Sequence, residues 1–454
     1  MKILITNALI CNEGTENQGS VLIDGEYIAQ IEYGKDTLLN GFDGEIINAG
    51  GKILMPGVID DQVHFREPGM THKADIESET RAAIAGGVTS IMEMPNTNPP
   101  TITIEALDAK FALGEEKSYA NYSFYLGATN DNIEEIKKID PQRVCGVKVF
   151  MGSSTGNMLV NDDKALEQIF EHSPCLIATH CEDEALIEAK KEEYKAKYGN
   201  NIPVKYHPEI RNAEACYKSS SKAIALAKKH RSRLHVLHLT TAMEMKQFAN
   251  NKDLEDKLIT AEVCVHHLRY SDKDYDVLGS KIKCNPAVKS ADDREALWEA
   301  LIDGRLDVVA TDHAPHTKEE KANVNYFKCP AGLPLVQFSL PMFADMVFKR
   351  NLPFSFVVDK MCHAPAKAYK VHKRGYIREG YFADLVLLSR DISTEVKVAN
   401  IYSKCAWSPM EGEQFNIMID TTIINGKVVY KTENNGKEII LDKNRNAKAL
   451  TFDR

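Results

Sequence analysis

Five residues with metal-binding or acid–base side chains lie at or near the ends of short apolar runs in the 454-residue sequence: His64, Lys148, His180, His238 and Asp312. A single histidine in such a place is more often a hydrogen-bonded structural residue than a ligand. Several imidazoles combined with a carboxylate are typical of zinc, and an incomplete protein shell leaves room for a hydroxide. Zinc brings the pKa of bound water to about 7, which suits amide hydrolysis at neutral pH.

Lys148 needs a separate explanation, because it lies in the apolar run 146–151 and an ammonium group cannot bind a metal. One interpretation is a buried lysine paired with a carboxylate. The other is a neutral amine that has captured carbon dioxide as a carbamate, a long carboxylate able to bridge two metals. Burial beside cations favours the neutral amine. The position in the strand supports both interpretations equally.

The middle of the chain alternates apolar runs with segments of helical period, for example 73–85 and 162–171. This alternation predicts a (β/α)₈ barrel of the TIM type. The carboxyl ends of the strands in such a barrel meet at one mouth, so the five residues are expected to lie together. The candidate strands are 57–64, 88–94, 122–127, 145–150, 175–180, 233–239, 258–266 and 306–312.

Both ends of the chain read as short strands joined by tight turns. Asp24-Gly25 and Asn425-Gly426 each separate two apolar runs, which is a hairpin signal. We therefore expect residues 1–56 and 375–454 to form one small β-sandwich domain, and residues 57–374 to form the barrel.

Composition limits the possible functions. The net charge of -9 and the absence of basic clusters argue against nucleic-acid binding. The N-terminal residues lack the zones of a signal peptide, and no apolar run approaches membrane-spanning length. The 10 cysteines form no C-x-x-C pair, so we expect buried thiols in a reducing compartment. A cytoplasmic enzyme acting on a small molecule is the expected class.

These residues lie in motifs that resemble the amidohydrolase superfamily and, within it, the dihydroorotases. The resemblance extends over nearly the whole chain, including the segments KRGYI at 373–377 and WSP at 407–409. The motifs are PGVIDDQVHFREPG at 56–69, MPNT at 94–97, GVKVFM at 146–151, THCE at 179–182, HVLH at 235–238 and TDHAPH at 311–316.

The resemblance implies a zinc-dependent, reversible cyclisation of N-carbamoyl-L-aspartate to dihydroorotate. It makes Lys148 a carboxylated bridging ligand, His180 and His238 ligands of one zinc, and His64 and Asp312 ligands of the other. Asp312 would also move the proton from the hydroxide to the leaving amide nitrogen.

The resemblance also implies a set of substrate contacts. Arg66, Asn96 and His316 would hold the substrate carboxylate, whereas Asn285 and the backbone at Ala331 and Gly332 would contact the amide edges of the ring. Arg66 distinguishes dihydroorotases from hydantoinase-like and allantoinase-like relatives, whose substrates lack that carboxylate.

One residue departs from the family pattern, because Gln62 replaces the first histidine of a His-x-His motif. An amide oxygen is a poorer zinc ligand than imidazole, so the position beside His64 should bind metal more weakly. Three interpretations follow. The chain is an active dihydroorotase with a modified or partly occupied second metal position, which the otherwise complete motifs favour, or an inactive homologue that serves as a structural partner of aspartate carbamoyltransferase. In the third, Gln62 is a structural residue that is hydrogen-bonded beneath a single-zinc site. A homodimer is the expected assembly.

Overall fold

The computed structural model describes residues 2–34, 37–152, 158–250, 253–433, 438–441 and 445–454. The N-terminal part forms strands β1 (Lys2–Asn12), β2 (Thr15–Asp24), β3 (Tyr27–Tyr33), β4 (Glu45–Asn48) and β5 (Ile53–Pro56). β2 and β3 pair antiparallel across the predicted Asp24-Gly25 turn, where Gly25 has a φ of 61°. The first hairpin expected from the sequence is therefore confirmed.

The barrel strands follow in the predicted order. They are β6 (Val58–Val63), β7 (Val88–Glu93), β8 (Asn121–Phe124), β9 (Leu126–Gly127), β10 (Val147–Phe150), β11 (Ile177–His180), β12 (Leu234–Val236), β13 (Ile259–Cys264) and β14 (Val308–Ala310). Only Tyr125 separates β8, which pairs with β7, from β9, which pairs with β10. These two pieces share one position, so the described strands occupy the eight expected places, and all the pairings between them are parallel.

The barrel closes between its first and last strands. Val63 forms a parallel bridge with His313, and the backbone N–H of His64 donates to the carbonyl oxygen of His313 at 2.7 Å. This contact aligns the end of β6 with the end of β14. The (β/α)₈ architecture predicted from the sequence is confirmed.

Helices connect the strands, and several begin at a side-chain cap. Asp75 accepts from the backbone N–H of Ser78 at 2.8 Å, and Asp162 accepts from that of Ala165 at 2.8 Å. The helices are α1 (Ile76–Ala85), α2 (Ile104–Lys117), α3 (Ile133–Ile136), α4 (Asp163–His172), α5 (Glu184–Tyr198), α6 (His207–Ile210), α7 (Ala213–His230), α8 (Val265–Arg269), α9 (Tyr275–Leu278), α10 (Ala291–Ile302), α11 (Lys318–Lys321), α12 (Ser339–Lys349), α13 (Phe354–Val358) and α14 (Ala364–Tyr369). Within the described ranges, no helix has the length and apolar composition needed to cross a membrane.

The C-terminal part returns to the strands of the N-terminal part. It forms β15 (Leu385–Ser389), β16 (Thr394–Glu395), β17 (Gln414–Phe415), β18 (Met418–Ile424), β19 (Lys427–Glu433) and β20 (Glu438–Leu441). β1–β5, β15 and β18–β20 make one nine-stranded mixed sheet. The predicted Asn425-Gly426 turn joins β18 to β19, with φ values of 47° and 73° that are typical of a type I′ hairpin.

Two strands of this sheet contribute to two hydrophobic cores. Leu54 of β5 and Leu387 of β15 pack in a core of the terminal strands, whereas Met55 and Val386 pack in the main core with the barrel helices. Alternate side chains of a strand point to opposite faces, which explains the division. The sheet is therefore joined to the barrel by side-chain packing as well as by the chain.

The final residues lie along the barrel. Ala449 forms a parallel bridge with Tyr122 of β8, and Phe452 forms an antiparallel bridge with Val371. The exact division into domains at residues 56–57 and 374–375 stays a prediction.

The sheet and the barrel also share a buried polar network centred on Asp384. Its carboxylate forms an ion pair with Arg374, and it accepts hydrogen bonds from the backbone N–H of Asn425 at 2.8 Å and from the amide of Asn121 at 3.1 Å. Asp384→Ala should lower the free energy of unfolding by about 3–5 kcal/mol, because it leaves Arg374 buried without its carboxylate.

Chemical denaturation followed by circular dichroism measures this loss. The control is Lys137→Gln, which removes an exposed ion pair with Glu134 and should leave the midpoint unchanged. Equal midpoints for the native protein and Asp384→Ala would contradict the importance of the network.

Candidate active site at the carboxyl end of the barrel

The residues expected at the active site all line one cavity of about 210 Å³ at the carboxyl ends of the strands. Phe150, Ala314 and Pro330 complete its wall. The structure thus brings together side chains that are as much as 270 positions apart in sequence. The predicted residues in the wall are Gln62, His64, Arg66, Asn96, Lys148, His180, His238, Asn285, Asp312, His316, Ala331 and Gly332.

The first group in the cavity lies where β6 meets the end of β14. His64 Nδ1 is 2.7 Å from Asn96 Oδ1, to which it can only donate, and His64 Nε2 is 3.0 Å from Asp312 Oδ1. Burial lowers the pKa of His64, which favours the neutral ring. A neutral ring that donates through Nδ1 turns its Nε2 lone pair towards the Asp312 carboxylate. Two electron-pair donors facing each other at this distance suit a cation between them.

Gln62 occupies the position of the missing histidine. Its amide nitrogen donates to Asp312 Oδ1 at 3.1 Å, and its Oε1 atom is buried without a hydrogen-bond partner in the described structure. The side chain therefore supports the Asp312 carboxylate, and it offers one neutral oxygen where a histidine would offer an imidazole nitrogen.

The second group consists of His180 and His238. His180 Nε2 donates to Glu182 Oε2 at 2.9 Å, and His180 Nδ1 lies 3.0 Å from His238 Nε2. Burial alone would raise the pKa of Glu182, but its ion pair with Arg211 and its bond to His180 lower that pKa to about 2. The ionised carboxylate fixes the tautomer of His180, so Nδ1 presents its lone pair. A carboxylate behind a histidine in this way is typical of metal ligands.

Lys148 lies in β10 and is buried in the cavity wall. Burial lowers the pKa of its amine to about 8, and Nζ lies 4.7 Å from the centre of the Phe150 ring. An appreciable fraction of the amine is therefore neutral near neutral pH. This property suits the carbamate interpretation of the sequence better than a permanently charged ammonium would.

Three of the cavity residues have left-handed backbone conformations. The φ values are 68° for Arg66, 38° for His238 and 47° for Asp312. This conformation costs a non-glycine residue about 1–2 kcal/mol, and such strain is concentrated at functional sites. Each residue lies just beyond the end of a barrel strand, where the turn directs its side chain towards the cavity.

Another part of the cavity wall carries a positive charge. Arg66 Nε donates to the Pro315 carbonyl at 3.1 Å, and its guanidinium lies 3.1 Å from His316 Nε2. Gly332 has a φ of 141°, and a Cβ atom there would lie 2.4 Å from the Ala314 carbonyl oxygen. Glycine is therefore required for the backbone at 331–332 to pass this close to the cavity.

The ion pair of Glu182 with Arg211 and the position of Lys73 were not predicted from the sequence. Glu182 could have been noticed from its place two residues after His180. Lys73 Nζ lies 3.1 Å from His316 Nδ1, and Glu320 lies 3.2 Å from the same amine. No sequence pattern indicates this contact, because it depends on the paths of the loops that carry Lys73 and His316.

Comparisons with known proteins agree with this geometry. Residues 53–429 match the model of the amidohydrolase family. A dihydroorotase of Halobacterium salinarum is 33% identical over 417 residues, which cover 90% of this chain and 93% of that protein. A dihydroorotase of Methanosarcina acetivorans is 30% identical, with 94% and 92% covered.

Solved structures give the same result for the fold. The L-hydantoinase of Arthrobacter aurescens superposes with a TM-score of 0.89 at 26% identity and covers 99% of both chains. The dihydropyrimidinase of Brevibacillus agri has a TM-score of 0.88 at 24% identity, and the superposition covers 100% of both chains. At this identity the likeness is evidence for a common fold and not for a common function.

Proposed function

We propose that this chain, which belongs to the amidohydrolase family, is a dihydroorotase that catalyses the reversible cyclisation of N-carbamoyl-L-aspartate to dihydroorotate in pyrimidine synthesis. The observation that carries the proposal is that Arg66 lines the same cavity as the histidines and Asp312. A guanidinium presents a planar pair of donors to a carboxylate, and dihydroorotate carries a carboxylate beside its cyclic amide.

Two other functions fit the cavity less well. A hydantoinase-type enzyme would share the fold of the Arthrobacter aurescens protein, but its substrates need no arginine in the cavity. An inactive structural homologue would have no need for the strained backbone at His238 and Asp312, which costs stability. Apart from the histidine that Gln62 replaces, every donor expected from the family pattern lines the cavity, which supports an active enzyme.

The donors in the cavity fit zinc. We assign one zinc position to His180, His238 and Lys148, and a second to His64, Asp312 and Lys148. Zinc, when bound, polarises a carbonyl group and lowers the pKa of water. Gln62 offers only an amide to the second position, so the position of His180 and His238 is the stronger of the two.

Lys148 serves both positions as a carbamate in this proposal. Its neutral amine would form a bond to the carbon of carbon dioxide and release a proton, which gives a carbamate anion with two oxygen atoms able to act as ligands. The lowered pKa of the amine supports this assignment.

Asp312 moves the proton of the reaction. Burial raises the pKa of this carboxyl, but the contact with His64 and the nearby His266 and Lys148 side chains together hold the pKa below its ordinary value, so that the group is ionised and can accept a proton. In the hydrolytic direction Asp312 takes the proton from the attacking water and gives it to the ring nitrogen as the C–N bond breaks. Cyclisation follows the reverse path.

The remaining cavity residues orient the substrate. Arg66, His316 and the amide nitrogen of Asn96 hold the carboxylate, since the carbonyl oxygen of Asn96 already accepts from His64. Asn285 and the backbone at Ala331 and Gly332 contact the amide edges of the ring. A cytoplasmic location, a homodimer and an association with aspartate carbamoyltransferase stay predictions.

Substrate choice tests the proposed function. We expect turnover of dihydroorotate to exceed that of hydantoin and allantoin, and Arg66→Gln to lower kcat/KM for dihydroorotate by about 100-fold, since it removes a buried charged hydrogen-bond partner. Hydantoin, which has no carboxylate, should be unaffected by that change. Steady-state assays measure this, with the partly exposed Arg143→Gln as the control. Faster turnover of hydantoin than of dihydroorotate by the native protein would favour the hydantoinase alternative.

Replacement of the proton carrier gives a second test. Asp312→Asn keeps the shape of the side chain but cannot accept the proton, so kcat should fall by at least about 100-fold. The circular dichroism spectrum should match that of the native protein. Asp163→Asn on the barrel exterior is the control. A rate near that of the native enzyme would show that another group moves the proton.

Lys148→Ala tests the carbamate. The variant should lose zinc and activity, and short-chain carboxylic acids should partly restore both, because they replace the missing carboxylate. Metal analysis and activity assays measure the two effects. The matched control is Lys110→Ala, which removes another buried lysine, one paired with Glu93. Unchanged zinc content in Lys148→Ala would exclude the lysine as a metal ligand.

A further inference from the structure

A second group of metal-binding side chains lies at the end of the seventh barrel strand. Cys264 is the last residue of β13, and His266 and His267 follow in α8. One ligand atom from each of the three lies within 4.8 Å of those from the other two, and all three side chains are buried. None of them lines the 210 Å³ cavity described above. The proposed reaction therefore gives them no role.

Three ring nitrogen atoms of the two histidines are buried away from water and have no hydrogen-bond partner in the described structure. Both Nδ1 and Nε2 of His266 lie buried without a hydrogen bond in the described structure, as does Nδ1 of His267. Leaving such a group buried and unsatisfied costs about 1–3 kcal/mol. His267 Nε2 donates to the Pro286 carbonyl at 3.1 Å, which fixes its tautomer and leaves a lone pair on Nδ1. This backbone anchor is typical of a histidine that binds a metal.

A carboxylate lies beside the sulfur. Glu262 Oε1 is 3.4 Å from Cys264 Sγ, and it also accepts the backbone N–H of His238 at 2.9 Å. Burial raises the pKa of both the Cys264 thiol and the Glu262 carboxyl, and Sγ donates to Oε1. A divalent cation bound here would displace these protons, and the thiolate and carboxylate would then balance its two charges. Sulfur and nitrogen ligands in a four-coordinate set are the preference of zinc.

We propose that Cys264, His266 and His267 bind a zinc ion at a site separate from the catalytic cavity, with Glu262, whose carboxyl contacts Cys264, as the candidate for a fourth ligand. The ion would fix the end of β13 and, through Glu262, the strained turn that presents His238 to the cavity. A second buried group of this kind among the described residues, formed by Asp61, His235 and Glu262, is a weaker candidate. Asp61 Oδ2 and His235 Nε2 already pair at 3.1 Å, and no sulfur is present.

Cobalt substitution tests the site without reference to activity. The full-length protein, stripped of metal and loaded with Co²⁺, should show thiolate-to-cobalt charge-transfer absorption in the near ultraviolet. Cys264→Ser should abolish this absorption. The control is Cys181→Ser, which changes a buried cysteine beside His180 and should leave the absorption intact. Absence of the absorption in the native protein, its survival in Cys264→Ser or its loss in Cys181→Ser would overturn the proposal.

Metal counting separates this site from the catalytic one. Cys264→Ser should lower the zinc content by one ion per chain relative to the native protein, whereas His180→Asn should lower zinc but keep the cobalt–thiolate absorption. If Cys264→Ser fails to fold, X-ray absorption of the native cobalt protein decides the question. A Co–S distance of about 2.3 Å is expected, and a shell of nitrogen and oxygen alone would overturn the proposal. Dihydroorotate turnover enters none of these measurements, so they stand even if the proposed function fails.

Discussion

Closure of the barrel between β6 and β14 is the constraint on which the site depends. The hydrogen bond from the His64 backbone to His313 and the bridge from Val63 to His313 join two segments that are about 250 positions apart. Closure at this register sets Asp312 against both Gln62 and His64. A shift by one residue would turn every alternate side chain away from the cavity, so register decides whether these donors meet.

Burial then determines the chemistry of the donors that closure brings together. It lowers the pKa of His64, His180 and Lys148, which all favour a neutral form with a lone pair to share. Glu182 is buried but stays in its charged form, because the neighbouring Arg211 lowers the pKa of its carboxyl. The Glu182 carboxylate in turn orients His180. The cavity thus combines neutral nitrogen donors with carboxylates, and a cation is the complement that such a set requires.

Much of this arrangement could be predicted from the sequence. The barrel strands are short apolar runs, and the carboxyl ends of parallel strands must meet, so the approach of His64, His180 and Asp312 follows from topology alone. The division of the third strand into β8 and β9 could not be foreseen, because it depends on how Tyr125 packs. The Glu182–Arg211 pair and the Lys73–His316 contact depend on loop paths, which have no period in sequence. The same is true of Cys264, which reads in sequence as one more buried cysteine.

The packing of β5 and β15 into two cores has a consequence for the substitutions that this protein can tolerate. β5 ends at Pro56 and β6 begins at Val58, so that only Gly57 separates the terminal sheet from the strand that leads to His64. A Cβ atom on Gly57 would lie 2.1 Å from the Thr89 side chain, so a larger residue cannot fit at this junction unless Thr89 moves. A substitution that altered the twist of the sheet would therefore shift β6, and with it His64 at the carboxyl end of the barrel. The position of the sheet and the position of the first barrel strand therefore depend on each other.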